Sequence, residues 1–159
     1  MSDLRYPDVE LDGPRRAEVL SQVRERIKAW DVPVPDDFLL VLNFGLDEFD
    51  QIGLTEFWIA NENEAGYCGK FLFLYDGQTC PEHYHRMKHE TFYIMRGQVR
   101  MIADGKETLM KPGDRLVMPP GVKHAFTGVG DALILEVSMP SIRGDNFFTD
   151  QRIGNNGVL

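Results

Sequence analysis

Three of the chain's four histidines, together with one glutamate, fall into two short contexts: His83, His85 and Glu90 in GQTCPEHYHRMKHETFYIMRG, and His124 just after the Pro119-Pro120-Gly121 turn. His83 and His85 are two residues apart, so on an extended strand both imidazoles project from the same face. Glu90 follows five residues later, enough chain to turn back and offer a carboxylate from a neighbouring position. Three neutral imidazoles and one carboxylate form a nitrogen and oxygen donor set suited to Mn, Fe, Co, Ni or Zn, with two positions of an octahedron left for substrate or water. Any one of these histidines alone would read as a surface or satisfied core residue; their joint spacing is what points to a metal. His89 stands outside the pattern and is expected in a solvated loop.

Two further charged residues stand where apolar ones are expected. Lys70 interrupts YCGKFLFLYD, and Glu136 interrupts ALILEVSM. An ionised side chain on an apolar barrel wall is costly unless it is paired or serves a cavity. The alternative for each is an outward position on the solvated side of its strand. Pointing inward, the two supply an acid and a base beside an open metal. That is the equipment for moving a proton between adjacent carbons of a carbonyl compound, with the metal polarising the oxygens and stabilising an enediolate.

The elements that must position these groups follow from periodicity. After Gly13-Pro14, the residues Val19, Leu20, Val23, Ile27 and Trp30 recur at helical spacing, which predicts one amphipathic helix. Pro33 and Pro35 turn the chain before the apolar segment 38–44. Short β-prone runs then follow at 55–60, 67–75, 91–96, 98–103, 107–110, 115–118, 123–127 and 132–138. Turn residues separate them, among them Asp76-Gly77, Arg96-Gly97, Asp104-Gly105 and Gly128 to Asp131. Many short strands with no helices between them predict a mainly all-β chain, a sandwich or jelly-roll barrel. The reading is a helical segment, 1–36, packed on a barrel formed by 37–159, with an irregular tail after Pro140.

At 159 residues, 43% of them apolar and 26% charged, the chain has the length and composition of one globular domain. No apolar run long enough to span a membrane occurs, and residues 1–10 are polar and acidic, so neither a span nor a signal peptide is read and a cytoplasmic location is expected. Cys68 and Cys80 are too few for a disulfide framework and are expected as reduced, small buried or loop residues. A net charge of -8 with dispersed Lys and Arg excludes a nucleic-acid surface.

The sequence resembles the cupin superfamily across both of its motifs. Gly77, His83, His85, Glu90 and Gly97 fit G-x5-HxH-x4-E-x6-G, and Gly113, Pro119, Gly121 and His124 fit G-x5-PxG-x2-H. The second motif often ends in Asn, where this chain has Thr127 and Gly128. The resemblance implies a single cupin jelly-roll barrel with His83, His85, Glu90 and His124 as metal ligands. YCGKFLFLYDGQTCPEHYH, the ETF containing Glu90 and the late FTDQRI are moreover similar to the smaller D-lyxose isomerases, cupins that interconvert an aldose and its 2-ketose with manganese. That family carries longer segments between the second histidine and the glutamate and between the two motifs. The resemblance implies that Lys70 and Glu136 handle proton transfer, that a divalent ion, Mn2+ foremost, is the cofactor, that the substrate is a small sugar, and that the protein is a homodimer paired through a sheet edge. Two other classes share the ligand set: Fe(II)-dependent cupin dioxygenases, which need no buried Lys and Glu pair, and non-catalytic sugar-binding cupins, which usually carry a DNA-binding helical domain absent here.

Overall fold

The computed structural model describes residues 6–159, so the first five residues of the expected N-terminal segment lie outside it. The helix α1 runs Gly13–Ala29, with Pro14 in the first turn, where its missing N–H leaves no bond unmade. Arg26 and Lys28 lie in its last turn, against the negative end of the helix dipole. Val19, Leu20, Val23 and Ile27 form its buried face and pack on Leu39, Val41, Phe57, Phe73 and Leu133 of the sheet.

Among the described residues nine strands follow: β1 Leu39–Leu42, β2 Leu54–Glu62, β3 Tyr67–Leu74, β4 Thr79–Tyr84, β5 Glu90–Ala103, β6 Lys106–Met110, β7 Arg115–Met118, β8 His124–Ser138 and β9 Phe147–Phe148. All named pairings are antiparallel. Strand β8 is the hub. Its first part pairs with β4, its later part with β3, and both parts with β5, which also carries β6 and β7. The sheet so curls into a jelly-roll barrel with α1 against its outside, the class that the strand spacing predicts.

Alternation assigns the two faces. Leu40, Leu42, Leu72, Leu74, Phe92 and Ile134 join the inner core, while their odd-numbered neighbours Leu39, Val41, Phe73 and Leu133 meet the helix. Because both faces are covered, β1 is buried at every position and β2 at its first five.

Two expected turns are absent. Arg96-Gly97 and the Gly128 to Asp131 stretch lie inside the long strands β5 and β8, so four expected strands are two. The register of β5 on β8 slips around Arg96, which marks a β-bulge rather than a reversal. Gly97 sits there at φ 70°, and a Cβ would lie 2.1 Å from the carbonyl oxygen of Asp131 and 2.9 Å from the Cα of Ala132. Gly97→Ala combines left-handed strain with a backbone clash, so we expect a loss of roughly 2–4 kcal/mol in denaturant unfolding. A loss below about 1 kcal/mol would show that the bulge can open to take a methyl group.

Candidate metal centre and active site

Strand β4 and the start of β8 bring the histidines together. His83 pairs in register with His124, and His85 lies two residues beyond His83 on the same face. One side-chain nitrogen or more of each of the three lies within 4.8 Å of those of the others. All three rings are buried, and the ring centroids of His83 and His124 are 4.3 Å apart.

Each ring is oriented by a carbonyl. Nδ1 of His83 faces the oxygen of Pro81 at 2.9 Å, that of His85 faces Asp145 at 2.8 Å, and that of His124 faces Val122 at 3.0 Å. An Nδ1 placed so carries the proton, which leaves Nε2 with a bare lone pair. Burial, and then the neighbouring His124 and His85, push the His83 imidazole well below the usual histidine range, toward the neutral ligand form.

Glu90 opens β5 and lies against two of the three histidines. Its Oε2 lies 3.3 Å from Nε2 of both His85 and His124, and these three atoms are buried without a hydrogen-bond partner. With both imidazoles in the neutral ligand form, their Nε2 lone pairs and the carboxylate oxygen repel one another unless a cation, a proton or a metal ion, lies among them. The donor set therefore fits a divalent transition ion, with nitrogen and oxygen ligands of suitable hardness.

Beside this cluster runs a row of buried charges. In the sheet Lys70 of β3 lies directly opposite Glu136 of β8, and both point inward, so neither takes the outward position open to it on sequence grounds. Lys70 Nζ donates to Glu56 Oε1 at 3.0 Å, lies 3.5 Å from Glu136 Oε2, and sits 4.6 Å from the centre of the Trp58 ring. Glu56 in turn accepts from Trp58 Nε1 at 2.9 Å. Burial alone would depress the Lys70 ammonium, but the carboxylates of Glu136 and Glu56 hold it well above the ordinary lysine range. Lys70 is therefore a charged donor and not a free amine.

Lys88 links the two groups. Its Nζ reaches Glu90 Oε1 and Glu136 Oε1, each at 2.6 Å. Burial opposes its charge too, yet Glu136 and Glu90 raise it above the usual lysine value. Burial likewise disfavours the Glu90 carboxylate, and Lys88 foremost holds it well below its usual range. Two ammonium groups thus face the three carboxylates Glu56, Glu90 and Glu136, which leaves one negative charge in excess in a buried space.

Of the six residues singled out from the sequence, Lys70, His83, His85, Glu90 and Glu136 line one cavity, and His124 lies behind it in the histidine cluster. Sequence reasoning missed Glu56 and Lys88. Glu56 was findable, since it interrupts an apolar strand as Lys70 and Glu136 do. His89 is exposed, and Cys68 and Cys80 are buried free thiols, with burial pushing both thiols up toward the inert protonated form. No helix among the described residues is long and apolar enough to cross a membrane.

Comparison with known proteins agrees with this geometry. The model of the D-lyxose isomerase family matches residues 14–102, and that of the cupin domain matches 71–138. A D-lyxose/D-mannose isomerase of Thermosediminibacter oceani is 29% identical over 86% of this chain and 91% of its own length. A D-lyxose ketol-isomerase of Cohnella laeviribosi is 30% identical over 75% of this chain and 80% of its own. Among solved structures, the L-ribose isomerase of Acinetobacter sp. DL28, in complex with L-ribose, superposes with a TM-score of 0.77 at 15% identity, covering 96% of this chain and 98% of the other.

Proposed function

Because the chain belongs to the D-lyxose isomerase family, we propose that it interconverts an aldose and its 2-ketose on a divalent ion held by His83, His85, Glu90 and His124. The observation that carries this reading is the buried Lys70 and Glu136 pair, joined to the histidine cluster through Lys88. A site that only binds a sugar, or activates oxygen, has no need of a desolvated carboxylate beside a desolvated ammonium.

The bound ion supplies Lewis-acid polarisation of the carbonyl and its neighbouring hydroxyl. Glu136 Oε2 is the base that takes the proton from C2 of the aldose and returns it at C1. Its Oε1 is occupied by Ser138 Oγ at 2.8 Å and by Lys88, while Oε2 meets Lys70 at the longer distance of 3.5 Å and is the oxygen open to substrate. Lys70, held in place by Glu56 and Trp58, gives a proton to the C1 oxygen as the enediol forms and takes one back from the C2 hydroxyl as the ketose carbonyl forms. The Ser141 hydroxyl, buried, unpartnered and facing the cavity, is a partner for a sugar hydroxyl. We take manganese as the ion, the cytoplasm as the location and a homodimer as the assembly; about half-exposed Ile59 of β2, Val137 of β8 and Val117 of β7, on alternate strands with Gly69 and Thr91 between them, offer an apolar surface for pairing.

The test is metal analysis followed by a screen of aldoses. Protein stripped by a chelator should be inactive, and about one equivalent of Mn2+ should restore turnover of a pentose or hexose. Replacing both His83 and His85 with Ala should abolish metal binding and leave a folded barrel, because a core of this size does not depend on an ion as a zinc finger does. Full metal occupancy in that double variant would sink the ligand assignment. Turnover of no sugar, with oxygen consumed under Fe2+, would move the chain to the dioxygenases.

A further inference from the structure

We infer that Asp145, in the segment that follows the barrel, is the positioning residue that fixes the connection between His85 and Glu90 and thereby sets the affinity of the site for its ion. The inference rests on the metal reading above and goes beyond it to a residue that is neither ligand nor proton carrier.

The connection Arg86–His89 is only four residues long and must deliver two groups at once, Lys88 between Glu90 and Glu136, and Glu90 itself opposite the histidines. Such a turn leaves consecutive backbone N–H groups without strand partners, and a buried N–H needs an acceptor. The Asp145 carboxylate supplies it. Oδ1 accepts from the amides of Arg86 at 2.9 Å and Met87 at 3.2 Å, and Oδ2 from those of Met87 at 3.3 Å and Lys88 at 3.1 Å. A carboxylate taking three successive backbone amides grips the turn as a neutral side chain cannot, since bonds to an ionised acceptor are the stronger ones.

The same residue also holds the ligand before the turn. The carbonyl oxygen of Asp145 accepts from Nδ1 of His85 at 2.8 Å, fixing the ring so that Nε2 faces the site. Side chain and main chain of one buried residue thus secure His85 and the three residues after it. Asp145 is itself anchored. Its amide donates to the carbonyl of Ile142, and the amides of Gly144 and Asn146 on either side both donate to the main-chain oxygen of Leu159, at 2.8 and 3.1 Å. Nearby, Asn61 brackets Ser141, accepting from its amide at 2.8 Å and donating to its carbonyl at 3.1 Å. The anchoring makes the segment a rigid support for the turn.

The test compares the full-length wild type with Asp145→Asn, Asp145→Ala and Asn61→Ala, each first shown folded by circular dichroism; should the Ala variant fail to fold, Asp145→Asn, of the same shape, decides. Amide hydrogen exchange on the metal-free proteins should show Arg86, Met87 and Lys88 protected in the wild type and faster by tenfold or more in the Asp145 variants, with β5 unchanged. Mn2+ affinity, by competition with a chelator, should fall about 10- to 100-fold in the Asp145 variants, the range of other residues that orient metal ligands. Asn61→Ala releases Ser141 but leaves the bonds of Asp145, Gly144 and Asn146 in place, and should lower the melting temperature while leaving Mn2+ affinity within about threefold. Unaltered exchange at 86–88, unaltered Mn2+ affinity in the Asp145 variants, or an equal fall in Asn61→Ala overturns the inference. A wild type that binds no Mn2+ overturns the metal reading instead, and the exchange data still decide whether Asp145 holds the turn.

Discussion

Glu136→Gln is expected to lower kcat by about 10²- to 10⁴-fold, the usual contribution of a single acid or base group, while metal content stays at the wild-type level. The substitution keeps the shape of the side chain and an oxygen to accept from Ser138, and it removes the basic Oε2 that faces Lys70. Neither cation beside it is left alone, because Lys70 keeps Glu56 at 3.0 Å and Lys88 keeps Glu90 at 2.6 Å. The four expected ligands are untouched. Steady-state kinetics with metal analysis of the same preparation checks both halves. A rate within threefold of wild type would remove Glu136 from the proton path, and loss of the metal would make it a structural residue. With a 2-deuterated aldose the wild type should release part of the label to water, whereas complete retention would mean a hydride passing between the carbons.

Much of the fold was legible because its signals are local. Helix α1 announces itself through Val19, Leu20, Val23 and Ile27, and most strand runs fall within a residue or two of the observed ones. Strand β4, Thr79–Tyr84, is not among the expected runs, since TCPEHY has neither apolar alternation nor β-branched residues beyond Thr79, and the two turns wrongly expected share one physical origin. Gly97 and Gly130 both adopt positive φ, a conformation that serves a hairpin turn and a β-bulge equally well. What decides between them is whether the chain keeps pairing with the same neighbour, as β5 does with β8 on both sides of Arg96. That is a long-range fact which no local window contains. Strand β9, two residues long, is likewise fixed by its pairing with His83 and Tyr84 and not by its own pattern.

The site divides in the same way. Lys70 and Glu136 stood out because a charge in an apolar strand is anomalous, and the structure pairs them across adjacent strands. Glu56 has the same signature, in LTEFW, and the argument that found the other two applies to it unchanged. Lys88 is different. It lies in a short polar connection, RMKH, where a lysine is expected to be solvated, and only the closure of the barrel buries it. Asp145 has no sequence signal either, since its partners lie nearly sixty residues earlier in the chain.

Lys88→Met should then produce three effects, one of them opposite in sign to the other two. Methionine follows lysine as far as Cε and is apolar, so the change removes little except the ammonium group that bridges Glu90 and Glu136. In the metal-free protein those two carboxylates then lie buried without their shared cation. Removing one partner of a buried pair typically costs about 3–5 kcal/mol, which for a chain of this size lowers Tm by on the order of 10 °C. Affinity for a divalent cation moves the other way, because a positive charge 2.6 Å from one oxygen of the expected ligand Glu90 opposes any cation at the site, and the substitution deletes it. Saturating Mn2+ should accordingly raise Tm by more in Lys88→Met than in the wild type, since a ligand stabilises the folded state according to its affinity. Turnover should nonetheless fall by tenfold or more, because Glu136 Oε1 loses the contact that aims its other oxygen. Melting curves with and without Mn2+, read beside kcat, separate the three effects. A metal-free variant as stable as the wild type, or one that binds Mn2+ more weakly, would show that the buried charges are balanced in some other way.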